Sequence, residues 1–212
     1  MKKIILSVTK NESDSLAELS EANKAKLVKK NNGKCQACGI DVTLYNHFHE
    51  EDNKIHVLCP LCYYPLHLDK IVTKNPGQII LLPEMSQIEL NATLRAMEYI
   101  KLKRAEYIEQ KKDEYAEVAD AIEIIEVLLK ERMDMADTYY SQGISNINLL
   151  GQVLFSFSDE DYAKRETGLY GLKLMHNMDN FGREMKAWEE SLSKYKPEVW
   201  KKMIEKVAKS QK

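Results

Sequence analysis

Apolar and polar positions along this chain change period several times, and each change marks an element. Ile4–Val8 is a short apolar run that predicts a strand. A helix is expected from about Ser15 to Lys30. Leu16, Leu19 and Leu27 give it a partial stripe, Asn11, Ser13 or Ser15 can cap its start, and Asn31-Asn32-Gly33 ends it. The run Gln78–Leu82 reads as a short buried strand or an extended arm. Ser86 followed three residues later by Glu89 is a capping box, and the helix it starts runs past Tyr107. Tyr115, Val118, Ile122, Ile125 and Leu129 alternate steps of three and four, the stripe of one long helix that Gly143 ends or follows. Further helices are predicted over Ile147–Phe157, after the start signal Ser158-Asp159-Glu160-Asp161, and along Phe181, Met185, Trp188, Leu192 and Tyr195. Pro197 starts a last one, with Trp200, Met203, Ile204 and Val207 on its face.

Composition divides this pattern in two. All four cysteines, four of the five prolines and four of the five histidines lie in residues 1–83. That part carries 11 basic and 9 acidic residues, whereas residues 84–212 carry 20 and 24. The chain therefore reads as a small module over 1–83 and a helical body over 84–212, an α+β fold that is mostly α. No run approaches 18 uncharged apolar residues, which excludes a transmembrane helix. The apolar stretch near the start is too short for a secretory signal core, so a cytoplasmic protein is expected. A net charge of −2 gives no global positive field for nucleic acid. No G-K-[ST] phosphate loop occurs.

The cysteines carry the chemistry. Cys35-Gln-Ala-Cys38 and Cys59-Pro-Leu-Cys62 are two C-x-x-C knuckles separated by 20 residues. Such pairs are the signature of a zinc site, each knuckle supplying two thiolates to one tetrahedral ion. Four ligands leave no open position, so one structural zinc ion is expected on Cys35, Cys38, Cys59 and Cys62. Two disulfides, a redox pair or another metal are the alternatives. Disulfides belong to oxidising compartments, and a single redox pair does not explain two knuckles. About 80 residues with few large apolar side chains make a thin core, so chelation should unfold 1–83 before it melts the helices.

His47, His49, His56 and His67 all lie close to the knuckles. With C-x-x-C-G and a second C-x-x-C, they resemble the treble-clef zinc module of HNH endonucleases, in which an ion activates water for phosphodiester cleavage. Tyr63 follows Cys62 where that family often places its histidine, and the surrounding sequence lacks a basic cluster for the backbone. The histidines therefore read as surface or supporting residues, or as one replacing a cysteine on zinc, and no catalytic residue is expected. An HNH-type metal-dependent nuclease with His47 or His49 as base is the enzymatic alternative. A DNA-binding zinc protein is a third.

A narrower resemblance rests on the stretch Leu82-Pro-Glu-Met-Ser-Gln-Ile-Glu-Leu-Asn91, which comes after the knuckles in the chain. With them, and with the helix carrying Trp188, it resembles the DotN (IcmJ) component of Dot/Icm type IVB secretion systems over roughly residues 15–192. The resemblance implies an HNH-like treble-clef zinc module followed by a helical body. It also implies a non-catalytic adaptor that binds the C-terminal extension of a coupling ATPase and helps recruit effector proteins. Such a subunit would be cytoplasmic and peripheral to the bacterial inner membrane through its partner.

Charge along the body is uneven. Asp113 to Asp137 holds nine acidic and two basic residues, and Lys194 to Lys212 seven lysines and two glutamates. These runs read as solvated helix faces, or as an acidic helix offered to a basic partner or to the chain's own tail. Trp188 and Trp200 occupy apolar stripes and are expected in the core.

Overall fold

A computed structural model describes residues 3–10, 16, 18–109, 113–193 and 202, and their side chains apart from 105–107 and 113–120. The expected caps Asn11, Ser13 and Ser15, Tyr195, the side chains of the stripe residues Tyr115 and Val118, and the helix after Pro197 apart from Lys202 lie outside what is described.

The helix leading to the first knuckle, α1 (Glu21–Lys30), starts later than the sequence suggests because Ser20 caps it, its hydroxyl accepting from the Asn23 N–H. The module then builds an antiparallel hairpin, β1 (His47–Glu51) with β2 (Lys54–Leu58). Asp52 and Asn53 turn it with positive φ at both residues, the conformation a two-residue hairpin demands and Asn and Asp tolerate. A single helical turn, α2 (Pro60–Tyr63), follows, with Pro60 at its first position, where a missing N–H costs nothing.

The helical body contains α3 (Gln87–Glu109), α4 (Asp113–Tyr139), α5 (Ile147–Ser156), the short α6 (Asp159–Ala163) and α7 (Arg165–Gly168), and α8 (Gly182–Ser193). The capping box forms as expected, Ser86 Oγ accepting from Glu89 N–H at 3.2 Å while the Glu89 carboxylate accepts from Ser86 N–H at 2.9 Å. Ser158 and Asn146 cap α6 and α5. The α4 stripe residues Ile122, Ile125 and Leu129 are buried, as are Phe181, Met185, Trp188 and Leu192 on and just before α8. α3 lies against α4, α8 and α2.

One reading needs correction and another resolves in favour of a strand. Ile4–Val8 is extended but belongs to no ladder among the described residues. Its neighbours are helical turns, so it is tied by single bonds: Ser7 N–H donates to Pro65 O and its carbonyl accepts from Leu68 N–H, each at 2.9 Å, and the Tyr162 hydroxyl accepts from Val8 N–H and donates to Val8 O. The run near Gln78 is a true strand, β3 (Gly77–Leu81). Its antiparallel partner is β4 (Leu172–His176), which the sequence did not announce. Gly77 opens the ladder at φ +114°, where an added Cβ would fall 2.1 Å from the Met175 carbonyl oxygen.

This ladder divides the apolar interior. Ile79 and Leu81 with Leu172 and Leu174 join a cluster that includes Leu6, Val8, Leu68, Ile147, Leu150 and Leu154. Ile80 and Leu82 face the other cluster, which holds the four cysteines and the inner faces of α3, α4 and α8. A strand buried on both faces reads as an unbroken apolar run, which is why the period over Gln78–Leu82 was neither two nor 3.6. The second cluster draws residues from both sides of Pro83.

The ladder is also closed at both edges. Ile79 N–H donates to Ser145 O at 2.8 Å. Across from Ile79, Leu174 has its N–H accepted and its carbonyl served by the side-chain amide of Gln87, both at 2.8 Å. The Gln87 amide thus occupies the place of a third strand.

Candidate metal centre

The two knuckles meet. The ligand atoms of Cys35, Cys38, Cys59 and Cys62 all lie within 4.8 Å of one another, and all four cysteines are free of disulfides. Cys38 Sγ and Cys59 Sγ are 3.7 Å apart. A tetrahedral ion with metal–sulfur bonds of about 2.3 Å needs sulfurs about 3.8 Å apart, so the donor set fits one metal ion. The group is complete without a histidine among the described residues.

Local backbone bonds shape each knuckle. In the first, Gly39 N–H donates to Cys35 O and Cys35 N–H to Ile40 O, both at 2.8 Å, with Gly39 at φ +75° closing the turn. Gln36 fastens it to β2 from both sides, its N–H donating to Val57 O and its side-chain oxygen accepting from Val57 N–H. In the second, Cys62 and Tyr63 N–H groups both donate to Cys59 O. Packed together, the thiols share protons unevenly. Hydrogen bonds to Cys35, Cys59 and Cys62, aided by the Arg95 charge, hold Cys38 far below the ordinary thiol range. Burial first, then Cys35 and Cys38, push the Cys59 thiol well up. Protons on such a set are what a metal ion displaces.

Around the cysteines lies a polar row that sequence reasoning missed. It runs along α3 at intervals of four: Gln87, Asn91 and Arg95, all buried. Gln87 Nε2 donates to Asn91 Oδ1 at 2.9 Å. Asn91 Nδ2 in turn donates to Leu61 O at 2.7 Å, inside the second knuckle, and lies 3.8 Å from Cys62 Sγ. Arg95 Nη1 lies 3.5 Å from Cys38 Sγ in the first knuckle. Its guanidinium sits 5.7 Å from the Trp188 ring, and Trp188 Nε1–H donates to Asp41 O at 2.8 Å. The i, i+4, i+8 spacing of three polar residues on the inner face of a helix was the available signal. Leu61 O also accepts from His176 Nε2 at 3.0 Å, which ties β4 to the same knuckle.

The four module histidines stand apart from the cysteines. His47, at the start of β1, stacks on Tyr63 with centroids 4.5 Å apart, and burial pulls its imidazole down to about 4. His49 and His56 face each other across the hairpin. His49 Nδ1 lies 2.8 Å from His67 Nε2, and His67 Nδ1 lies 2.7 Å from Thr9 Oγ1. His67 is buried and stacks on Tyr63 at 4.1 Å, so its ring is fixed on three sides.

Compared with protein-family models and with curated proteins, the chain gives no match. Among the described residues no helix is long and apolar enough to cross a membrane.

Proposed function

We propose that the protein is a non-catalytic adaptor whose module is held together by one structural zinc ion on Cys35, Cys38, Cys59 and Cys62. The observation that carries this reading is the closed donor set: four cysteine sulfurs within 4.8 Å leave no position for substrate or water. The buried roles of Gln87 and Asn91 agree with it, since both residues of the Leu82–Asn91 stretch are spent on packing and on the second knuckle. On the resemblance to the DotN family, the partner is the C-terminal extension of a type IV coupling ATPase, and the task is recruitment of effector proteins. Affinity capture from the native cell, read by mass spectrometry, tests this. Recovery of a coupling ATPase supports the adaptor, and recovery of nucleic-acid proteins alone overturns it.

A second reading, an HNH-type metal-dependent nuclease, is favoured by one observation. His49 from the hairpin and His67 from beyond the second knuckle approach to 2.8 Å. Plasmid nicking with Mg²⁺ or Mn²⁺, wild type against His47→Ala and His49→Ala, decides it. Nicking by wild type that is lost in either variant would replace the adaptor reading.

A further inference from the structure

We propose that Arg95 is the counter-cation of the four-cysteine centre, and that it sets both the metal affinity of the site and the chemical inertness of Cys38. The proposal rests on the reading that the cysteines hold one divalent ion.

A divalent ion on four thiolates leaves a net charge of −2 in a site whose ligands are mostly buried. A buried charge is costly unless another charge or a hydrogen bond compensates it. Arg95 is 6% exposed and lies on α3, outside the module that supplies the ligands. Its Nη1 reaches Cys38 Sγ at 3.5 Å, and its Nε has no hydrogen-bond partner among the described residues. No carboxylate is paired with it there either. A guanidinium this deeply buried therefore finds its counter-charge in the thiolates. Charge and partner are mutually dependent: the centre lowers the cost of burying Arg95, and Arg95 lowers the cost of the centre.

Its target is the exposed member of the set. Cys35, Cys59 and Cys62 are buried, and Cys38 is the one of the four that solvent still reaches in part. A metal-bound thiolate that electrophiles can reach is the site where such a centre is attacked. An N–H donated to sulfur draws electron density from its lone pairs and so lowers its nucleophilicity. Arginine suits the place better than lysine, because its plane can face the Trp188 ring while one edge turns to sulfur.

Cobalt substitution of the full-length chain tests this. Wild type loaded with Co²⁺ should show the visible bands of tetrahedral tetrathiolate cobalt and a sulfur-to-cobalt charge-transfer band. In Arg95→Gln the sulfur lone pair rises in energy, so that band should move to longer wavelength. Zinc affinity, measured against a chromophoric chelator, should fall roughly 10- to 100-fold, the range for loss of a group supporting a metal ligand. Iodoacetamide should label Cys38 of the metal-loaded variant several-fold faster than in wild type, with the other three cysteines little changed. A merely structural Arg95 would expose all four together and leave the charge-transfer energy where it was. Arg95→Lys keeps the charge, serves as the test if Arg95→Gln fails to fold, and should fall between wild type and Gln. An unmoved band and wild-type affinity in either folded variant overturn the proposal alone. Absence of the tetrathiolate spectrum in wild type overturns the metal reading, and the proposal with it.

Discussion

The β3–β4 ladder separates two interiors that solve the same problem differently. On one side, Leu6, Val8, Ile147, Leu150, Leu154 and Leu174 pack without any buried ion-binding group. On the other, four cysteines sit among the apolar faces of α3, α4 and α8, and polar side chains from α3 reach in to meet them. The first side is held chiefly by apolar burial, so its losses should be local and graded by volume. The second hangs on one centre that several elements touch, so its loss should be collective. A metal site can therefore act as a shared anchor for helices that supply none of its ligands.

The largest effect should come from breaking that anchor. Metal binding contributes on the order of 10 kcal/mol to the folding of such modules. Chelation should abolish the packing of the module, and because Arg95, Asn91 and Trp188 grip the knuckles, α3 and α8 should loosen with it. Hydrogen exchange with and without chelator reads this directly, and unchanged protection on α3 would confine the anchor to the module. Cys59→Ser should lose metal content and folded yield together. Full metal retention by that variant would remove Cys59 from the site.

On the other side, Leu174→Ala deletes a fully buried side chain and should cost about 2–5 kcal/mol by denaturant titration. Metal stoichiometry should stay at the wild-type value. Loss of metal in this variant would mean that the two interiors are not separable.

A third test uses pH. Burial holds the His176 imidazole down to about 4, below its ordinary value of about 6.5. Between those values the unfolded chain binds a proton that the folded chain excludes. Stability is thus fully present above pH 6.5 and falls as the pH drops toward 4, by up to about 3 kcal/mol. Thiolate protonation also weakens metal binding in acid, so the informative quantity is the difference between wild type and His176→Gln. The variant's stability should depend less steeply on pH over that window, and equal slopes would exonerate His176.

The smallest expected effect is at the seam between α8 and the first knuckle. Trp188→Phe keeps most of the packing but removes the donor to Asp41 O, leaving a carbonyl short of a partner at a cost of about 1 kcal/mol. A thermal melt indistinguishable from wild type would show that the bond adds nothing to packing.

Much of this arrangement was legible in the chain, for identifiable reasons. The knuckles were, because thiolate chemistry imposes its spacing locally. The long helices were too, because a stripe repeated over several turns is redundant: Ile122, Ile125 and Leu129 each report the same face. β4 was not, because Leu172–His176 is five residues long, flanked by helices, and partnered with a segment about 95 positions earlier. A strand that short carries too few periods to declare itself. Ile4–Val8 failed in the opposite sense, since its composition favours a strand but its neighbours are helical turns that offer no ladder. Arg95 was hidden for a different reason. On a helix surface a lone arginine is ordinary, and only the meeting of α3 with a loop some 57 residues away makes it part of the metal centre.

The Gln87 amide has a consequence for where this sheet ends. Two-stranded ladders usually leave hydrogen-bonding edges on which further strands can grow, which is how sheets spread from one chain to the next. Here the Ser145 carbonyl stops growth on one side and a single glutamine stops it on the other, at the same rung. The ladder is a finished object of two strands. A Gln87→Leu chain would leave the buried Leu174 N–H and carbonyl without partners, so the closure of the ladder at two strands rests on that one side-chain amide.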